Sequence, residues 1–151
     1  CFGKDSGTDI TDSDGGTFFG HQAGANVTSG NNNVAVGYVA LLENTTNGSN
    51  TAVGCYSLQR STGSNNTAIG YMAMRGTSGS TTGSYNVAIG HNAALSYTTC
   101  DGNIAIGKDA HDSNQTGGEN TIVGYQAAQS NTSNRNTCLG CRKNYGSSCL
   151  A

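Results

Sequence analysis

Apolar residues in this chain come in short islands, never in long runs, and the islands repeat. Each begins with Asn, continues through Thr, Val or Ile, a small residue and a bulky apolar residue, and closes on Gly. The copies run Asn33-Val34-Ala35-Val36-Gly37, Asn50-Thr51-Ala52-Val53-Gly54, Asn66-Thr67-Ala68-Ile69-Gly70, Asn86-Val87-Ala88-Ile89-Gly90 and Asn103-Ile104-Ala105-Ile106-Gly107. Asn120-Thr121-Ile122-Val123-Gly124 and Asn136-Thr137-Cys138-Leu139-Gly140 complete the set of full copies. Gly16-Thr17-Phe18-Phe19-Gly20 is an imperfect earlier copy, and Cys1-Phe2-Gly3 matches the tail of another. The closing glycines stand at 3, 20, 37, 54, 70, 90, 107, 124 and 140, mostly 16 or 17 residues apart and 20 apart between Gly70 and Gly90. A repeat this short and regular is the signature of a stacked, quasi-one-dimensional fold.

With the glycine as position 0, positions −3 to −1 read as a short strand, because side chains alternate faces and β-branched residues favour extended backbone. Positions −3 and −1 then share one face and −2 the other. The bulky −1 column (Phe2, Phe19, Val36, Val53, Ile69, Ile89, Ile106, Val123, Leu139) predicts a continuous apolar spine. Glycine at 0 predicts a corner that needs positive φ or close backbone approach. A second short strand is expected over +1 to +4, as in Tyr71-Met72-Ala73-Met74, with the small +3 residue inside and the apolar +4 residue covering an edge. The rest is turn chemistry, as in Glu43-Asn44-Thr45-Thr46-Asn47-Gly48-Ser49. Gly, Asn, Ser and Thr at this density are poor helix formers, and no 3.6-residue stripe persists. The expectation is an all-β parallel β-solenoid of about nine coils in a single domain, residues 1–151. Equivalent positions would then stack about 4.8 Å apart, with the Asn column as an amide ladder. The stretch Gly76–Gly83 within the long interval reads as a loop bulging from one coil.

Composition narrows the function more than it defines it. Hydrophobic residues are 34% and charged residues 11% of the chain, so a thick globular core is not expected, nor is charge-driven disorder. The net charge is −2 and no basic run exists, which argues against nucleic-acid binding. No stretch is long and apolar enough for a membrane span. The chain starts at Cys1, which reads as a removed leader or as a segment of a longer protein. Six cysteines in a Gly/Asn/Ser-rich chain point to an oxidising, extracellular setting.

The Asn-Thr-Ala-Val-Gly repeats and Gly124-Tyr125-Gln126-Ala127 resemble the head repeats of trimeric autotransporter adhesins and of related phage or viral fibres, over about residues 16–140. The resemblance implies a parallel β-roll, often three chains side by side, in an extracellular appendage. The repeat here is longer than the usual adhesin-head repeat, which predicts wider coils.

Candidate chemistry is sparse. Cys1 and Cys138 share position −2 eight coils apart, roughly 38 Å in a straight solenoid, whereas a disulfide needs Cα atoms within about 7 Å. Cys55 and Cys100 are also too far apart to pair, leaving Cys138, Cys141 and Cys149 as possible internal partners. If chains stack head to tail, Cys1 of the next chain lies above Cys138 and near Cys149, and an inter-chain disulfide across that junction is expected. Cys138-Leu139-Gly140-Cys141 has C-x-x-C spacing but lacks the four ligands of structural zinc and the βαβ setting of a redox motif. His21, Tyr38, Tyr71, His91 and Tyr125 share position +1 and form a surface or interface column, or one able to stack on a partner or glycan. His111-Asp112 reads as an isolated pair in a turn. Glycosylation sequons at Asn26, Asn44, Asn47, Asn65, Asn114 and Asn131 all fall in expected turns. No catalytic arrangement, metal site or cofactor is indicated. The sequence therefore reads as a fibre or filament subunit whose partners are copies of itself, head to tail or as a trimer. The alternative is an adhesin or receptor-binding fibre head meeting a host protein or glycan. Ice binding by the −3 Thr column is a lesser alternative.

Overall fold

The structure is a computed structural model and describes residues 1–76, 82–113 and 116–140. It is a parallel β-solenoid with a repeat of about 17 residues. Eight three-residue strands form one sheet in chain order: β1 (Thr17–Phe19), β2 (Val34–Val36), β3 (Thr51–Val53), β4 (Thr67–Ile69), β5 (Val87–Ile89), β6 (Ile104–Ile106), β7 (Thr121–Val123) and β8 (Thr137–Leu139). Every neighbouring pair is parallel and in register, so that Ala35 lies over Ala52 and Ala52 over Ala68. The copy at Cys1-Phe2-Gly3 is reduced to a single bridge from Phe2 to Phe19. Eight strands and this bridge stand where nine coils were expected.

The two faces of the sheet are the reverse of the apolar-spine expectation. The buried column is −2, with Ala35, Ala52, Ala68, Ala88 and Ala105 fully enclosed. The bulky −1 column points outward and is half-buried or exposed, reaching 53% at Phe19 and 74% at Leu139. Hydrophobicity alone would put Val and Ile inside. The lumen is instead shared with the +4 side chains, so where Leu41, Leu58 or Met74 enters it close packing leaves room only for Ala at −2. The small +3 residues (Ala23, Ala40, Ser57, Ala73, Ala93, Ala110) are buried beside them, and Leu41, Leu58 and Met74 at +4 sit in the core itself, not at an edge.

The expected second strand at +1 to +4 is absent. Its place is taken by consecutive turns in which residues +2 and +4 are left-handed: Val39 (φ 58°) and Leu41 (φ 53°), Met72 (φ 55°) and Met74 (φ 47°). Position −5 is left-handed too, at Asn32, Ser49, Asn65, Tyr85, Glu119 and Arg135. Non-glycine residues rarely adopt this conformation, which costs on the order of 1 kcal/mol or more each. The reason is visible in the hydrogen bonds. At +2 the N–H donates to the preceding coil (Val39 N to His21 O, 2.9 Å), and at +4 to the following one (Leu41 N to Ser57 O, 3.0 Å). At −5 it again donates backwards (Ser49 N to Asn31 O, 2.8 Å). Left-handed residues thus aim backbone donors along the solenoid axis, and the turns stack as the strands do.

Within each coil the −2 and +4 side chains share one space. Phe18 fills it in the first full coil, and a Cβ built on Gly24 at +4 would lie 2.2 Å from the Phe18 ring. In the next coils Ala35 faces Leu41, Ala52 faces Leu58 and Ala68 faces Met74 at the same two positions; later Ile122 is matched with Ala128, and all of these are buried. In these coils a large residue at one position goes with a small one at the other, as close packing demands; Ala88 and Ala94 are both small, and there the buried Tyr97 joins the core.

Candidate functional site

The Asn–Gly columns are the scaffold on which every surface feature is placed. Asn33, Asn50, Asn66, Asn86, Asn103 and Asn120 are buried, and Asn136 is partly so. Each Oδ1 accepts the backbone N–H of the next Asn, from Asn50 N to Asn33 Oδ1 (3.0 Å) through Asn136 N to Asn120 Oδ1 (2.9 Å). The amide nitrogens cross-link forward, as Asn66 Nδ2 does to Gly83 O (2.8 Å) and Asn103 Nδ2 to Gly117 O (3.0 Å). The ladder is therefore mainly backbone to side chain. The glycines at 37, 54, 70, 90, 107 and 124 have φ between 129° and 137°. A Cβ on Gly37 would lie 2.6 Å from Gly54 O, so both the conformation and the stacking distance exclude a side chain.

The aromatic column forms a continuous array with one member that the +1 spacing does not reveal. His21 stacks on Tyr38 (5.2 Å), and Tyr71 stacks on His91 (5.1 Å). Between them the +1 residue is the exposed Cys55, and Tyr56 at +2 fills the gap with edge contacts to Tyr38 (5.3 Å) and Tyr71 (6.2 Å). Farther along, the Lys108 ammonium lies 5.4 Å from the Tyr125 ring centre. Asp109 supports this end: burial would raise its pKa, but hydrogen bonds from Lys108, Asn92 and Gln126 hold it below the usual range. Each stacked pair covers one face of each of its rings.

The cysteines divide in two. Cys1 and Cys55 are exposed free thiols, and Cys100 is free and buried, where desolvation raises its pKa. No disulfide joins two described residues, but Cys138 is disulfide-bonded, so its partner lies outside them. A bond from Cys1 of a neighbouring chain to Cys138 would therefore require exchange. Cys141 and Cys149 lie outside the described residues, as does most of Gly76–Gly83. Among the described residues no group of His, Cys, Asp or Glu is arranged to hold a metal ion, and no helix is long and apolar enough to cross a membrane.

Two expectations about turns are corrected. His111 does lie in a turn but is not isolated: it is fully buried at +4, where its Nδ1 meets the Tyr97 hydroxyl and its Nε2 meets Asn131 O (3.0 Å). Tyr97 O–H donates to Nδ1 and Nε2–H donates to the carbonyl, which makes the ring neutral; burial pushes its pKa down to about 4. Burial likewise raises the Tyr97 phenol. Among the sequons, Asn26 and Asn65 are exposed and Asn47 and Asn131 partly so, whereas Asn44 is fully buried. A glycan on Asn44 would have to open the coil. Asn114 lies outside the described residues.

The flank bearing position −5 holds a cavity of about 360 Å³ that the sequence reading passes over, lined by residues including Tyr85, Asp101, Gly102, Glu119 and Arg135. Its one sequence signal is Gly102, a gap in a column otherwise occupied here by side chains. No family model, curated protein or solved structure matches the chain.

Proposed function

We propose that this chain is a structural subunit of an extracellular fibre that grows by adding coils end to end. The observation that carries this reading is the in-register, parallel identity of every step, in which each coil offers the next the same set of donors and acceptors that it receives. The last described coil keeps that set: Thr121 N donates to Asn136 O (2.8 Å), and among the described residues no strand follows to take the equivalent N–H of Thr137. An open parallel edge is a template for another chain. The outward columns add a lateral surface of Thr, Val, Ile and Phe with no charged residue in it, on which copies can also pack side by side. The likeness to adhesin-head and tail-fibre repeats supports an appendage role and an extracellular location. The reading assigns the chain no catalytic activity.

Thr137→Pro tests it, because it deletes one outward-pointing donor and puts a proline ring at the growing edge while sparing the donors used inside the chain. Wild-type protein should form fibres of indefinite length by negative-stain microscopy as concentration rises, and the variant should stay as short rods. Short rods from both proteins at every concentration would overturn the proposal. A second reading, a fibre head that meets a host glycan, is favoured by the Tyr85 flank.

A further inference from the structure

We propose that the slot above Gly102 binds a single neutral sugar ring. Four observations converge there. Tyr85, Gly102, Glu119 and Arg135 occupy position −5 in four successive coils, so their Cα atoms follow one line at about 4.8 Å per step. Gly102 contributes no side chain, and a Cβ built on it would have nothing nearer than 3.8 Å. The gap between Tyr85 and Glu119 is thus two steps, roughly 10 Å, and the cavity of about 360 Å³ is at the low end of small-molecule sites.

The walls are of two kinds. Tyr85 is 68% exposed and, unlike the rings of the aromatic column, has no ring stacked on it. It is also held left-handed (φ 61°) at a position where Asn and Gly serve at lower cost in other coils. On the opposite side Arg135 Nε donates to Glu119 Oε2 (2.7 Å) in a largely exposed pair, which sets guanidinium donors beside carboxylate acceptors. Asp101 lies at the rim, its Oδ1 accepting the Ser84 N–H. An apolar ring opposite a carboxylate–guanidinium pair suits a pyranose, which has one CH-lined face and a rim of hydroxyls that both donate and accept. A simple cation would meet the carboxylates but also the Arg135 guanidinium, and it would leave the guanidinium donors unused.

The inference does not depend on fibre growth, since the slot lies on the flank of one chain. The test uses the soluble full chain, 15N-labelled, with methyl glycosides of glucose, galactose, mannose and N-acetylglucosamine, and tetramethylammonium as the cation probe. At least one glycoside should bind at millimolar concentration, the scale for so few ligand atoms, and shift the amides of Tyr85, Gly102, Glu119 and Arg135. Tyr85→Asn, which keeps a residue tolerant of left-handed φ, should weaken binding at least tenfold. Gly102→Asn should do the same by filling the slot, with melting temperatures close to wild type for both. No shift with any glycoside, shifts that survive both substitutions, or a response to tetramethylammonium alone would overturn the proposal.

Discussion

At the scale of single residues, the solenoid is governed by positions where a Cβ has no room. Gly37 combines φ 137° with a contact to Gly54 O that a methyl would bring to 2.6 Å. Gly37→Ala should therefore cost several kcal/mol, on the order of a strained backbone plus an overpacked contact. Gly102 has a left-handed φ of 68° but open space around it, so Gly102→Ala should cost only about 1 kcal/mol. Urea denaturation of the two variants checks the difference, and equal losses would refute the stacking argument. The glycine rule was legible in the sequence because both of its causes, conformation and close approach, select the same residue. The facing of the strands was not. Thr51-Ala52-Val53 alternates correctly, yet which half is buried depends on which other side chains share the lumen, a property of the whole coil that hydrophobicity does not report.

At the scale of one coil, the −2 and +4 positions behave as a matched pair. Phe18→Ala should open a cavity and cost about 3–5 kcal/mol, while Gly24→Leu should clash with the Phe18 ring. The double variant recreates the Ala35/Leu41 arrangement and should recover most of the loss, giving a large favourable coupling in a double-mutant cycle. Additive losses would show that the two sites are independent. The Tyr97–His111 pair is a polar insertion into the same core. Folded His111 stays neutral to about pH 4, whereas the unfolded chain takes up that proton near pH 6.5. Its contribution is complete above about pH 6.5 and is lost as pH falls towards 4, by about 3 kcal/mol in all. Stability measured against pH should show this fall, and Tyr97→Phe combined with His111→Leu should flatten it. The turn at His111 was legible from sequence but its burial was not, because His-Asp in a polar stretch looks solvent-facing. Only its distance of four from Gly107 places it in the Leu41–Leu58–Met74 column.

At the scale of the whole molecule, strand order and register followed from the spacing of the glycines, since repeats of nearly one length can stack in only one simple way. The replacement of a second strand by left-handed turns did not, because Leu58 and Met74 give no sign of positive φ. The slot at Gly102 was hidden for a related reason: it is assembled from four coils, and no contiguous motif records it. Assembly also belongs to this scale. If the Thr137 edge pairs with another chain, the melting temperature of wild-type protein should rise with concentration by mass action, and that of Thr137→Pro should not.

The pairing of −2 with +4 has a consequence for how such a chain can change. Both members lie within one 17-residue unit, so a recombination that exchanges complete units carries each large side chain together with the small one that makes room for it. A crossover within a unit, between Phe18 and Gly24 for instance, would join mismatched halves and leave either a void or a clash. Lengthening or shortening by complete units is then close to neutral for packing, and variation in the number of coils is the least disruptive change open to the lineage.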